Sequence, residues 1–344
     1  MEFFFDHAGA LLNAPLFGVG GIVAVVLAMG LDAWLGEPKR YHPLVGFAHW
    51  ATRWQRLLCP ASSQARPWLG RVAGVLALLV ALAPVSIVIA LLLALESLSP
   101  WLSWLAGIVV LYSCLGWHSL KAHVLAVNSA LLQQDLPLAR QRLSWIVSRD
   151  TDRLDAQQIA QANTETLLEN SADAVFASVF WFVLAGPVGA LLHRWVNTLD
   201  AMWGYKTPQW RYWGWAAARA DDVMNWLPAR ILALLFLLAA WVRYGTQAVS
   251  RGWQGWREQA PQCVSPNGGV VMCVGACVLH VRLSDGAYYH GQWQAKPTMG
   301  CGDAATPQTL ASAIQLIRAA LLWGLAAWVL FAVISLAYVR LGGS

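Results

Sequence analysis

Glu165-Thr-Glu-Thr-Leu-Leu-Glu169-Asn170-Ser-Ala-Asp173, an apolar run interrupted by Gly186-Pro187-Val-Gly189, and then Asn197-Thr-Leu-Asp200-Ala-Met-Trp-Gly204-Tyr205-Lys206 form the stretch whose reading decides the fold. Glu165, Glu169 and Asp173 fall at i, i+4 and i+8, so on a helix they share one face. Like charges at that spacing repel by roughly 0.2–0.5 kcal/mol per pair. A helix carrying them needs a cation opposite, either Arg/Lys or a divalent metal. The run that follows, 174–196, is long and apolar enough to cross a bilayer, yet it is broken in its middle. A clean crossing would separate Asp200 from Glu169. It would also export Lys206, Arg211 and Arg219, against the bias that keeps basic loops in the cytoplasm. A broken, re-entrant hairpin is therefore favoured over a true span.

The rest of the chain has the same membrane character. Of 344 residues, 58% are hydrophobic and 12% charged, whereas soluble domains carry about 25% charged residues. The net charge of +5 is spread over polar loops, which fits positive-inside topology and speaks against a nucleic-acid partner. Residues 1–15 carry Glu2 and Asp6 and no Lys or Arg, and do not read as a signal peptide. Clear spans are expected at 16–34, 72–95 (kinked at Pro84), 101–117 and 314–338. A shorter run, 227–242, reads as a second partial insertion. The loop 36–71 holds Lys39, Arg40, Arg53, Arg56, Arg66 and Arg71 against Glu37, which places it in the cytoplasm. Gly18, Gly20 and Gly21 serve close helix packing. The six Cys are scattered; Cys273 and Cys277 are four apart with nothing to complete a zinc set, and read as core. The expectation is an all-α, polytopic membrane bundle with cytoplasmic helical segments, forming one domain over 1–344.

Four polar clusters carry the candidate chemistry. Asp32-Ala-Trp-Leu-Gly36-Glu-Pro-Lys39-Arg40-Tyr-His42-Pro43, with an acid at the span's end and a proline-bracketed turn, makes a rigid rim at the end of the first span, or an interfacial anchor. The opening stretch supplies Glu165, Glu169, Asn170 and Asp173, preceded by Ser148-Arg149-Asp150-Thr151, which reads as a turn and cap before a new helix. The third cluster joins Asn197, Asp200, Gly204, Tyr205 and Lys206 to Arg219-Ala-Asp221-Asp222 and Pro228-Ala-Arg230. Adjacent acids beside an amide suit a hard divalent cation; the plainer alternative is pairing with Arg219 and Arg230. The fourth, Ser265-Pro266-Asn267-Gly268-Gly269, matches a helix N-cap with proline at the first helical position. Its free N–H groups would accept an anion, although the same residues also make an ordinary turn. His280 and His290, downstream, are not read as ligands. There is no Walker A pattern and no Gly-x-Ser-x-Gly elbow.

Taken in order, these motifs resemble the CobD/CbiB family of adenosylcobinamide-phosphate synthases, from Asp32 to about Leu325. The resemblance rests on Gly36-Glu-Pro-x-Arg-x-His42-Pro43, Ser148-Arg-Asp-Thr151, Glu165-x-x-x-Glu169-Asn170-x-x-Asp173, Asn197-Thr-Leu-Asp200-x-Met-x-Gly204-Tyr205, Asp221-Asp222 with Pro228-Ala-Arg230, and Ser265-Pro-Asn-x-Gly269. It implies an enzyme of the bacterial inner membrane with its site on the cytoplasmic side. Such an enzyme joins the free propionate of adenosylcobyric acid to aminopropanol, or aminopropanol phosphate, through an amide bond. Assignment as a ligase implies ATP and Mg²⁺. Under this resemblance Asp200, Glu169 and Asp173 are the catalytic candidates, with Asp200 as general base. Asp221, Asp222 and Glu165 are the metal candidates. Arg40, His42, Arg149, Asn170, Asn197, Lys206, Arg219, Arg230, Ser265, Asn267 and Gly269 are the substrate and phosphate candidates. The bilayer is the expected surrounding, and a homo-oligomer is compatible with it. The chain departs from the family around Phe176-Ala177-Ser178-Val179, where a proline is usual. It departs again at Cys273-Val-Gly-Ala-Cys277 and Leu283-Ser284-Asp285-Gly286. The competing class is a non-catalytic membrane signalling modulator of the AmpE type, with a transporter-like scaffold more remote.

Overall fold

The computed structural model describes residues 18–38, 42–59, 66–283, 285–289 and 291–342. It is 77% helical. Helices α1 (Val19–Leu35), α2 (Pro43–Leu58), α3 (Pro67–Leu82), α4 (Val85–Leu98), α5 (Pro100–Cys114), α6 (Trp117–Leu132) and α7 (Leu136–Ser144) come first. Then follow α8 (Ala156–Ser171), α9 (Ala177–Trp203), α10 (Trp215–Tyr244), α11 (Thr246–Gln254), α12 (Gly268–Leu279) and, last, α13 (Thr309–Gly342). Between α12 and α13 lie four short strands: β1 (Val281–Arg282), β2 (Gly286–Tyr289), β3 (Gln292–Ala295) and β4 (Asp303–Ala304). β1 pairs with β4 in parallel and β2 with β3 in antiparallel register.

Five stretches are long and apolar enough to cross a membrane: Pro67–Leu98, Pro100–Leu132, Ala156–Trp203, Trp215–Tyr244 and Thr309–Ser335. This is a multi-pass membrane protein. The expected spans at 72–95 and 101–117 fall inside two of them, and 314–338 overlaps Thr309–Ser335 up to residue 335. Pro84 separates α3 from α4, as its missing N–H requires. α1 has 17 residues, near the lower limit of a crossing; residues 16 and 17 lie outside the described part.

The segment expected to insert partially at 227–242 belongs to a helix of 30 residues, continuous through Pro228. Arg219, Asp221, Asp222 and Asn225 sit in its first turns. They end the hydropathy run without ending the helix, which is why the apolar part looked short. The break in α9 is where the residues demand one. Ala185 (φ −136°, ψ 19°) and Gly186 (φ 65°, ψ −160°) are non-helical, and Pro187 opens the second half with its fixed φ and no N–H to waste. Gly186 adopts the left-handed φ that a side chain would resist.

Spatial contacts divide the chain into two compact units. The first comprises the described parts of Met1–Gly116, Ala177–Met224 and Ala327–Ser344. Its core is a seam of small residues under large aromatics. Gly70, Gly74, Ala77 and Ala81 form the buried face of α3, and Gly21, Ala24, Val25 and Ala28 that of α1. Without a hydrophobic drive between helices in lipid, such seams bind by letting backbones approach. A Cβ at Gly74 would lie 2.0 Å from the Trp213 carbonyl oxygen, a backbone atom that cannot swing away. Gly74→Ala is accordingly expected to cost about 1–3 kcal/mol through overpacking. Thermal unfolding of the purified variant measures this, and an unchanged midpoint would refute the fit.

The second unit, Trp117–Phe176 with Asn225–Ala326, is built around α8. This helix opens with a capping box between Asp155 and Gln158. It is polar, yet buried continuously from Ile159 to Leu168, so its side chains find partners inside. Asn163 Nδ2 donates to the Val124 carbonyl at 3.0 Å and Gln161 Nε2 to that of Arg282 at 3.3 Å. α8 runs into a π-helical turn, Ala172–Phe176. α6, α7 and α12 pack around it.

Candidate functional site

In the second unit, the C-terminal half of α8 and the start of α12 enclose a cavity of about 300 Å³. Arg149, Thr166, Glu169, Asn170, Ser265 and Lys296 supply its polar lining. Glu165 lies below it, its side chain 3% exposed, in an ion pair with Arg149. Lys296 Nζ is 3.5 Å from the same carboxylate oxygen. A cation does stand opposite the acidic face at Glu165, in the form of this pair of basic side chains. Glu169, one turn on, is the carboxylate that faces the cavity. Lys296 attracts its charge, with Arg149 a smaller contribution, and Glu165 repels it.

Asp173 does not share this lining, contrary to the i+8 expectation. It lies in the π turn Ala172–Phe176 and is half-buried. π turns are frequent beside functional sites because they re-aim one side chain at the cost of one hydrogen bond.

The Ser265 turn precedes α12, whose N-cap is Asn267 and not the expected Ser265, with no capping bond from its own side chain. Ser265 Oγ accepts from the Gly268 N–H at 3.0 Å, and the Ser265 carbonyl accepts from Gly269 N–H at 3.1 Å. The N–H groups of Val270 and Val271 bond the Asn267 carbonyl. The free donors expected at this helix end are thus already taken, because the entry is a tight turn that closes on itself. What approaches the end instead is Glu169: a Cβ at Gly268 would stand 2.5 Å from its Oε1. Glycine there admits a carboxylate at the positive end of α12. Arg230 braces the turn from outside. Its Nη1 donates to Asn267 Oδ1 and to the Trp226 carbonyl, each at 2.8 Å, and its guanidinium lies over the Trp226 ring.

The remaining wall comes from the strands. Asp150 holds them: its N–H donates to the Tyr288 carbonyl at 2.8 Å, and its Oδ2 accepts from Gly291 N–H at 2.7 Å. At the hairpin base the Lys296 N–H donates to Asp285 O at 2.7 Å. Neighbouring residues of Ser148-Arg149-Asp150-Thr151 therefore act differently, Arg149 on Glu165 and Asp150 on the hairpin that carries Lys296. Asp150→Ala should free the β2–β3 hairpin to protease cleavage, whereas Asp150→Asn, which still offers an acceptor, should protect it. Equal cleavage of the two variants would dismiss the latch.

The first unit holds a second polar cluster. Asn197 Nδ2 donates to Asp221 Oδ1 at 3.2 Å, and Arg194 Nη1 reaches Asn197 Oδ1 at 3.4 Å. Asp222 pairs with Arg219 at 2.9 Å on a partly exposed face. Asp200 lies within the repulsive field of Asp221 and Asp222. Gly204 leaves it room, since a Cβ there would stand 2.1 Å from Asp200 Oδ1. Lys206 is exposed just beyond α9. Among the described residues no cluster of three or more His, Cys, Asp or Glu is arranged to hold a metal ion. His42 is buried and caps α2, its Nδ1 accepting from Leu44 N–H at 3.1 Å with Pro43 following. That accounts for the motif structurally. Arg40 and His290 lie outside the described residues.

Two residues escaped the sequence reading. Lys296 sits in a segment read only as polar loop, and nothing local marks it. Arg194 had a signal, a lone charge in an apolar run three residues before Asn197.

Comparisons with known proteins agree with one another. The sequence profile described as CobD/Cbib protein matches residues 25–317. A Chromobacterium violaceum protein named Cobalamin biosynthesis protein CobD is 45% identical over 314 residues, covering 91% of this chain and 95% of that protein. A Stutzerimonas stutzeri protein of the same name is 45% identical over 308 residues, 90% and 95% of the two chains. One from Yersinia enterocolitica is 38% identical over 281 residues, 80% and 86% of the two chains. No solved structure matches. The chain belongs to the CobD/CbiB family of cobalamin biosynthesis proteins.

Proposed function

We propose that the chain is an acid–amine ligase that joins the free propionate of adenosylcobyric acid to aminopropanol, or its phosphate, giving adenosylcobinamide or its phosphate. The observation that carries this reading is the cavity where Arg149 and Lys296 stand beside the Glu169 carboxylate. About 300 Å³ is at the small end of ligand sites and suits a small polar amine, not a corrin ring. The amine enters; the corrinoid stays outside. Glu169 holds the ammonium group and takes the proton released as the amide forms. Arg149 and Lys296 hold the hydroxyl or phosphate end, and Asn170 orients it. The general base expected at Asp200 is assigned here to Glu169, because Glu169 shares the cavity with the amine.

A carboxylate and an amine do not condense unaided in water, so the acyl group needs activation. Asp200, Asp221 and Asp222 offer carboxylate oxygens here, although among the described residues no three acids are arranged to enclose a metal ion by themselves. That suits Mg²⁺, which keeps its waters and uses one or two carboxylates along with phosphate oxygens. These residues would hold Mg²⁺–ATP, which supplies the activation; Arg219 and Lys206 would neutralise phosphate charge.

The test is complementation. A bacterial strain lacking its own synthase, fed cobyric acid, should make cobinamide when given this gene, and failure by a well-inserted protein would defeat the reading. The site is assigned to the cytoplasmic face of the inner membrane, on a re-entrant path through Gly186–Pro187. A cysteine at Gln209, in a background without reactive thiols, should then label only from the cytoplasm. Labelling from the periplasm alone would reject that path.

A further inference from the structure

The cavity wall contains a thiol pair that amide formation does not use. Cys263 lines the cavity, two residues before Ser265. Its Sγ is 3.7 Å from Sγ of Cys273, which lies on the second turn of α12 and is 0% exposed. Both are free thiols. Hydrogen bonding with Cys273 and the Lys296 charge, against burial and the Glu169 charge, hold the Cys263 thiol below its ordinary range. A partly exposed, acidified thiol backed by a buried thiol is the arrangement of a redox sensor and its resolving partner.

We propose that Cys263 and Cys273 form a reversible thiol–disulfide switch that responds to peroxide and closes the amine cavity. Peroxide transfers one oxygen to the Cys263 sulfur, giving sulfenic acid and releasing water. The Cys273 sulfur then attacks Cys263, and the oxygen leaves as a second water. The two thiols have lost two electrons and two protons, and peroxide has accepted them. A dithiol reductant restores both thiols by exchange. A disulfide bond of about 2.05 Å requires the sulfurs to approach by roughly 1.7 Å from their 3.7 Å separation. α12 is buried along its length and cannot follow, so Cys263 moves. The motion transmits directly to the cap, because a Cβ at Gly269 would already stand 2.4 Å from Cys263 Cβ. In a reducing cytoplasm the pair rests open.

The effect on turnover rests on the proposed reaction; the bond itself does not. Full-length protein in membranes, treated with hydrogen peroxide and digested without reduction, should yield a Cys263–Cys273 peptide lighter by two hydrogens. Turnover should fall to background in parallel and return with dithiothreitol. Cys273→Ala and Cys273→Ser should turn over like the parent before treatment. After it, their Cys263 should advance to sulfinic acid and dithiothreitol should no longer rescue them. Two results overturn the proposal: both thiols staying open to alkylation, or Cys263 bridging to Cys277 or Cys301 instead. If turnover is absent throughout yet the cross-linked peptide forms, the reaction assignment has failed and the thiol pair stands.

Discussion

Glu169→Gln is expected to lower amide formation by about 10²–10⁴-fold, the range that a positioned proton acceptor contributes, while the protein still inserts. The substitution keeps size and hydrogen-bonding shape and removes only charge and basicity. The neighbouring carboxylate cannot substitute, because Glu165 is already engaged by Arg149 and Lys296. Nor can Ser265, whose Oγ is committed to the Gly268 N–H. Glu169→Asp draws the carboxylate back by one methylene and should retain part of the rate. The check is corrinoid product formed in membrane vesicles at saturating amine, with insertion followed separately. A variant within about threefold of the parent, well short of the acid–base range, would remove Glu169 from the chemistry.

What could be read from the residues follows from how far each signal reaches along the chain. The breaks at Pro84 and Gly186–Pro187 were legible because proline and glycine act on their own backbone. So was the turn at Ser265, whose side chain reaches only three residues on. The acidic face predicted that a cation would stand opposite, and it does. Which cation was not legible: Lys296 arrives from a hairpin more than a hundred residues away, placed by Asp150 and by strands of two to four residues. Strands that short carry no usable alternation. The π turn was hidden for a different reason, since one extra residue in a turn leaves periodicity intact on both sides. The full length of α10 was not legible because hydropathy stops at its charged residues and helical hydrogen bonding does not.

Glu165→Ala should be the most destabilising single change in the second unit, at about 3–5 kcal/mol. Removing one partner of a buried pair leaves the other charge without compensation, and Arg149 is only 8% exposed. Lys296, the second cation on that carboxylate, is 26% exposed and can turn to water, so Arg149 dominates the penalty. Thermal or denaturant unfolding in detergent reads the loss. The variant Arg149→Met with Glu165→Leu separates stability from function. A buried pair replaced by apolar groups of similar volume is often neutral or better, so this double variant should recover most of the stability. It should nevertheless stay inactive, because the cavity has lost the guanidinium proposed to hold the substrate's anionic end and Lys296 has lost its anchor. Recovery of both stability and turnover would show that Arg149 and Glu165 serve the fold alone.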